Sequence, residues 1–297
     1  MYIRKSEENK LDGLLLIDKE AGETSFDVVF KVRKQLSLKK AGHAGTLDPF
    51  ATGLLIVLLN QSARLMEIFH LLPKEYEAVF VFGEKKLSDD ITGETVLSGA
   101  RIPTLDEIKR QIPSFTGRIS QIPSDYSALK IKGVRAYHLA RSGQKVNLEP
   151  REITIFHYEI IDYTPPFLKV KIKCSTGTYI RALARDLAEN MGTAAYVKEL
   201  KRTSIGDFSI DRAYKTSQIS PEKILSPDHA VDFIPCLTVK DDKIEPMRHG
   251  IPFNSSFLAD PLSYTDDFYV LKSIKGEFLG ILKNKKYFFV RSTAAQT

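Results

Sequence analysis

Gly42-His43-Ala44-Gly45-Thr46-Leu47-Asp48-Pro49-Phe50-Ala51-Thr52-Gly53 brings one imidazole, one carboxylate and three glycines into twelve residues, directly before an aliphatic run at 54–59. Glycine admits positive φ and close backbone approach, and Pro49 fixes its own φ and lacks an N–H, so the segment reads as a shaped loop. Asp48 is its only acidic side chain. Two readings of that residue stand side by side: a cap on a short helical turn with Pro49 in first position, or a carboxylate presented for chemistry. The run at 54–59 has the length and composition of a buried strand, which would hold the loop rigid at its C-terminal end.

Upstream, the apolar run at 13–18 closes on Lys19-Glu20-Ala21-Gly22, a strand followed by a turn, and Thr24-Ser25 opens an amphipathic helix reaching Ser37. Lys31, Arg33, Lys34, Lys39 and Lys40 lead into the loop, either as a solvated helix face or as an attraction for phosphates. Downstream, a helix is expected over 62–72 and a strand with one better-buried face over 74–83, then a helix over 105–112 and a short strand over 117–122. Residues 151–163 and 167–173 are rich in Ile, Val, Phe and Tyr and should pair antiparallel through Pro165-Pro166. Past Pro235, a short helix ending at Gly250 and brief apolar stretches around Phe268, Phe278 and Phe288 describe a small β-rich unit.

A chain of 297 residues is long for one compact domain, and one large domain with a small appended one is the natural expectation. With 43 Lys and Arg against 37 Asp and Glu, the net charge of +6 favours a polyanionic partner, while also fitting an ordinary basic protein. Cys174 and Cys236 exclude a disulfide framework, lack metal-site spacing, and read as reduced core residues. The six histidines are scattered without ligand spacing, so no metal is expected. Neither a dinucleotide fingerprint nor a P-loop is present, and no cofactor is expected. The aliphatic run at 54–59 is too short to span a bilayer or to serve as a signal core, so the expectation is a cytoplasmic protein without membrane contact.

The loop resembles the signature G-H-T-G-T-L-D-P-x-A-T-G of the bacterial tRNA pseudouridine synthases that modify the uridine at position 55. It departs at Ala44 and Phe50, but not at the His, the Asp or the glycines. A second stretch, Cys174-Ser175-Thr176-Gly177-Thr178-Tyr179-Ile180-Arg181 through Asp186-Leu187, resembles that family's Cys-Ser-x-Gly-Thr-Tyr-Ile-Arg-x-x-x-x-Asp-Leu. Shorter matches are Lys74-Glu75-Tyr76 to Lys-x-Tyr, Asp90 and Gly93 to Asp-x-x-Gly, and the run from Pro123 through Ser127-Ala128-Leu129-Lys130 to Pro-Pro-x-Tyr-Ser-Ala-Leu-Lys. Leu200 and Arg202 fall in a stretch similar to Leu-x-Arg-x-x-x-Gly. Asp18-Lys19-Glu20-Ala21-Gly22 is similar to Asp-Lys-Pro-x-Gly without its proline. The resemblance covers about residues 11–206 and is much weaker beyond.

The resemblance implies an α+β pseudouridine synthase catalytic domain with a long mixed, largely antiparallel sheet, at residues 1–235. Within it, about 123–150 would form an RNA-clasping arm carrying Lys130, Lys132, Arg135 and Arg141, with a glycine-capped short helix over 133–143. Residues 240–297 would form a small β-rich PUA-like RNA-binding domain. The implied partner is tRNA, through its T-arm and T-loop, bound by a monomer with no obligate protein partner. Catalysis is implied for Asp48, as the nucleophile, and for Arg181, as its ion-pair partner. His43 would fill the gap left by the flipped base, and Tyr76 would stack on that base. Asp90, Tyr179, Leu200 and Lys19 would order or line the pocket, although Lys19 reads equally as a solvated lysine. Attack by Asp48 on ribose C1′ and on uracil C6 both remain open. So do two rival readings, an RNA chaperone without turnover and a hydrolase with Asp90 as second carboxylate.

Overall fold

In the computed structural model, which describes residues 11–127, 129–131, 133–135, 148–260 and 267–290, the loop leads into an interior strand of a large sheet. The chain enters with β1 (Gly13–Lys19), turns into α1 (Ser25–Gln35), and adds the short β2 (Ala41–His43) before β3 (Thr52–Leu59). A 3-10 segment, Asn60–His70, leads to β4 (Lys74–Phe82), the small strands β5 (Lys85–Lys86) and β6 (Thr95–Leu97), α2 (Leu105–Gln111) and β7 (Gly117–Gln121). Two-residue strands β8 (Lys130–Ile131) and β9 (Val134–Arg135) form a hairpin. Then follow β10 (Arg151–Thr164), β11 (Phe167–Cys174), α3 (Ile180–Asn190), β12 (Ala195–Ile205) and β13 (Phe208–Ser209). The C-terminal part contains β14 (Cys236–Val239), α4 (Asp241–Arg248), β15 (Phe268–Ser273), β16 (Phe278–Lys283) and β17 (Lys286–Val290).

Among the described residues, nine strands make one sheet in the order β1-β3-β12-β4-β11-β10-β7, with β2 beside β3 and β13 beside β12. Only β3 and β12 run parallel, through Thr52–Lys201 and Gly53–Arg202, and the other pairings are antiparallel. The architecture is the mixed, largely antiparallel sheet of the α+β class expected. That parallel contact sets the mouth of the loop against the middle of β12. Gly53 makes it possible: its φ is +101°, and a Cβ there would lie 2.3 Å from the Arg202 carbonyl oxygen.

β3 is apolar at every position after Gly53 because both faces are covered. Leu54, Ile56 and Leu58 join a core with Leu65, Ile68 and Phe69, while Leu55, Val57 and Leu59 pack with Val28, Val29 and Val32 of α1. α1 starts at a complete capping box, Thr24 with Asp27, which satisfies its first amides. Farther along the sheet, Phe80, Phe82, Val170 and Ile172 pack against Leu183, Ala184 and Leu187 of α3. Their strand neighbours Glu75, Glu77 and Lys171 alternate onto the other face.

The helix expected over 62–72 is a 3-10 helix, Asn60–His70. Ser62, Leu65 and Ile68 are buried at intervals of three, the period at which 3-10 side chains eclipse. Cys174 is buried, but Cys236 is exposed at the start of β14, an edge strand, and is not a core residue. β14 pairs with β15 in the four-stranded sheet β14-β15-β16-β17, so that sheet begins four residues ahead of the boundary expected at 240. The sheet is not insulated from the first: Phe268, Val270, Phe278, Ile281 and Phe289 share a core with Leu54, Ile56 and Phe69. Lys132 and Arg141 of the expected arm, with the body of its short helix, lie outside the described residues.

Candidate active site

The loop between β2 and β3 is held residue by residue. Arg202, 1% exposed on β12, donates from Nη2 to the Gly45 carbonyl at 3.1 Å, from Nη1 to that of Thr46 at 3.3 Å and from Nε to that of Leu54 at 2.8 Å. The Ser25 hydroxyl accepts from the Leu47 amide at 2.8 Å and donates to the Leu47 carbonyl at 3.2 Å. The Pro49 carbonyl accepts from the Gly22 amide at 2.8 Å and from Lys19 Nζ at 3.3 Å. Such bracing is how a loop acquires the rigidity of the scaffold beneath it.

Asp48 follows as a consequence of that frame. Its carbonyl accepts from the Ala51 amide at 3.1 Å, which closes a turn and leaves no helix for the residue to cap. Its carboxylate faces Arg181, one residue inside the N-terminus of α3, whose Nε donates to Oδ2 at 2.9 Å and Nη2 to Oδ1 at 3.0 Å. This is the bidentate fork that arginine forms and lysine cannot. The same guanidinium donates to the carbonyls of Ser88 at 2.9 Å and Tyr126 at 3.0 Å, and Asp90 Oδ2 lies 3.3 Å from its Nη1. Burial works against the charge of Arg181, but Asp48 and Asp90 outweigh it and raise its pKa, so it stays a cation. Its side chain is 3% exposed while that of Asp48 is 33% exposed. The pair therefore presents an open carboxylate backed by a buried cation.

Asp48 opens into a pocket of about 280 Å³ lined by Gly45–Asp48, Lys74, Tyr76, Leu129, Ser175–Arg181, Leu200 and Arg202. That volume lies just below the roughly 300–1,000 Å³ typical of small-ligand sites. Four of the residues singled out in the sequence besides Asp48 line it: Arg181, Tyr76, Tyr179 and Leu200. Tyr76 stands on β4 opposite Arg202 and Ile172, and burial raises its phenol pKa, keeping it neutral. Tyr179 caps the start of α3, and its amide and carbonyl are both tied to the Gln121 side chain, at 2.9 and 3.1 Å.

His43, Asp90 and Lys19 are not in that lining. Asp90 binds Arg181 and turns its other oxygen to Ser88 Oγ and the Thr92 amide, an Asx turn that also serves the pair. His43 sits at the end of β2, and its buried Nδ1 has no hydrogen-bond partner among the described residues. Burial, then the nearby Arg202, lower its pKa and favour the neutral ring. Lys19 is fully buried and not the solvated lysine that its turn suggested. Its ammonium donates to the carbonyls of Glu20, Glu23 and Pro49, and burial lowers its pKa to about 8.

Two cations in the site went unselected in the sequence, Arg202 and Lys74. Lys74 Nζ donates to the carbonyls of Phe69 and Leu72 at 2.8 and 2.7 Å and to Thr176 Oγ1 at 2.9 Å, with a pKa lowered by burial to about 8. The available signal was parity: Arg202 shares the inward side of β12 with Leu200, two residues away. Among the described residues no group of three or more His, Cys, Asp or Glu is placed to hold a metal. No helix among them is long and apolar enough to cross a membrane.

Residues 33–180 match the family described as TruB family pseudouridylate synthase (N terminal domain). The chain is 34% identical to tRNA pseudouridine synthase B of Borrelia garinii subsp. bavariensis, over 94% of this chain and 98% of the relative. The chain belongs to the TruB family of pseudouridylate synthases. A second relative, tRNA pseudouridine synthase B of Dehalococcoides mccartyi, is 40% identical over 81% of this chain and 83% of its own. In three dimensions the TruB-family fold extends to a chain in the crystal structure of a Cbf5-Nop10-Gar1 complex. The match has a TM-score of 0.72 and 24% identity, and covers 94% of this chain and 80% of that one. The matched residues take in the Asp48 loop, Lys74, Tyr76 and Tyr179, while Arg181, Leu200 and Arg202 lie past residue 180.

Proposed function

We propose that this protein isomerises the T-loop uridine at position 55 of tRNA to pseudouridine, with Asp48 as nucleophile. The tRNA pseudouridine synthases among its relatives support the reaction, and one observation carries the residue assignment: the bidentate Asp48–Arg181 pair at the pocket. Asp48 adds to the substrate at ribose C1′ or uracil C6. The N1–C1′ bond breaks, the freed base turns, C5 bonds to C1′, and the C5 proton leaves while N1 gains one in place of its lost bond to C1′. Asp48 departs unchanged, and the reaction conserves every atom and electron. Its demands are those of position and charge, which a braced loop and a fixed cation supply.

A uracil inside a folded T-loop has to leave its stack first, at a cost of a few kcal/mol. Tyr76 offers it a flat ring, Leu200 an apolar wall, and His43 the group that takes the vacated place. Lys19 and Asp90 serve from behind, the first by holding the Pro49 carbonyl and the second by holding Arg181. Residues 1–235 form the catalytic domain and the C-terminal sheet a PUA-like unit adding RNA affinity. The protein acts as a cytoplasmic monomer, without an obligate protein partner. The test is to incubate an unmodified tRNA transcript with purified protein and map pseudouridine chemically. Wild type should convert the T-loop uridine, and Asp48→Asn should lower the single-turnover rate by about 10³-fold or more with binding retained. Release of free uracil, or bound tRNA left unmodified by the wild type, would overturn the reading.

A further inference from the structure

Helix α1 carries an outer stripe that neither the fold nor the pocket uses. Its inner face, Ser25, Val28, Val29 and Val32, is buried. Phe26, Phe30, Arg33 and Lys34 follow one another at i, i+4, i+7 and i+8, a single face of an α-helix, and all four are exposed. Phe26 is 69% and Phe30 54% accessible, at positions where a solvated helix face carries polar side chains.

Two flat rings one turn apart, continued by two cations, combine what single-stranded nucleic acid requires: π-faces for bases and positive charge for phosphates. Lys39 and Lys40 extend the charge past the helix, and Asp27 is the only acidic residue between 25 and 40. The stripe also starts beside the site. Ser25, one residue before Phe26, clamps Leu47 next to Asp48, and the Gly22 amide holds the Pro49 carbonyl.

We propose that the Phe26–Phe30–Arg33–Lys34 face of α1 docks unpaired nucleotides of the substrate RNA, the rings stacking on bases and the cations pairing with phosphates. It rests on the function proposed above and adds a surface outside the pocket. The full-length protein is titrated with an unmodified tRNA transcript, comparing wild type, Phe26→Leu/Phe30→Leu and Arg33→Ala/Lys34→Ala. Leucine keeps the apolar area and loses the ring face, and because both positions are exposed the fold should survive, as a melting curve will check. The ring variant should bind roughly 5- to 150-fold more weakly per stacked base lost, with the single-turnover rate at saturating RNA unchanged. The charge variant should flatten the slope of log K against log salt by about 0.7 per cation lost. Unchanged affinity in a ring variant that still converts tRNA would overturn this inference alone. Self-association of the wild type abolished by the ring variant, with RNA affinity intact, would also overturn it and assign the face to a second copy of the chain. A wild type that leaves tRNA unconverted would remove the proposed function and this inference with it.

Discussion

The surroundings of the Asp48 loop and the C-terminal sheet are stabilised in opposite ways. Around the loop, Lys19, Lys74, Arg181 and Arg202 are all buried, and each spends its donors on backbone carbonyls, with Asp48, Asp90 or Thr176 completing the set. In the C-terminal sheet, Ser273 is the only buried polar residue among those described, and the interior is Leu237, Val239, Leu271, Phe278, Leu282 and their neighbours. Buried charge is costly unless every donor is met, whereas apolar area stabilises without regard to direction. A region that must place one carboxylate to within a fraction of an ångström needs directional contacts. A region that has to cover a core does not.

Arg181→Ala should separate the two regions most strongly. Losing the guanidinium strands Asp48, Asp90 and two carbonyls, so stability should fall by roughly 3–5 kcal/mol and the chemical step should fail as well, measured by urea unfolding and single-turnover mapping of pseudouridine. Phe278→Ala is the matched change on the other side: the ring is buried and stacks on Phe289 at 5.9 Å between centroids. It should cost about 3 kcal/mol in unfolding experiments while the single-turnover rate at saturating RNA in the folded protein stays near wild type. A large loss of rate there would erase the contrast.

The buried lysines make a pH-dependent comparison. Lys74 has a folded pKa of about 8 against an ordinary 10.5, so the unfolded chain binds its proton more tightly. Its contribution is fully present above about pH 10.5 and is lost as pH falls through about 8. Between those values wild type should gain roughly 1–3 kcal/mol relative to Lys74→Met, read from urea unfolding curves of both proteins at several pH values. No gain would mean that the carbonyls around Lys74 compensate for its burial in full. The smallest effect is expected at the seam between the sheets, where Lys283 pairs with Glu67. That pair is half-exposed, and Lys283→Ala should change stability by only about 0.2–1 kcal/mol, less at high salt.

The shared core changes what a truncation would mean. Residues 240–297, read from the sequence as a separable RNA-binding unit, contribute Phe268, Val270, Phe278, Ile281 and Phe289 to a core that also contains Leu54 and Ile56 of β3. Removing them would uncover the apolar face of the strand that anchors the Asp48 loop, so point changes on the sheet's surface test its role in affinity more cleanly.

Local chemistry was legible along the chain. Alternation and apolar runs located β1, β3, β4, β7, β10 and β11 to within one or two residues, Thr24 announced the first helix, and the glycines with Pro49 marked a loop with a single carboxylate. These signals depend on neighbours a few residues apart, which is the range over which periodicity and turn chemistry act. Period left the environment to choose between two close alternatives, as in the 3-10 segment at Asn60–His70. Residue type misled at Cys236, where an edge strand leaves exposed a side chain that is ordinarily buried.

By itself, the sequence determined the residue types available for chemistry and the elements that carry them: a carboxylate on a shaped loop, an arginine at a helix start, a tyrosine on a strand. Tertiary structure alone decided which cations are buried and what they hold. Arg202 reaches the Gly45 carbonyl across 157 positions of chain, and Lys19 reaches that of Pro49 across 30. A lysine in a turn and an arginine in a strand look the same locally whether they face water or a carbonyl. The difference arises only when β3 and β12 meet in parallel and exclude solvent between them, because burial is a property of the assembled layers and not of any segment.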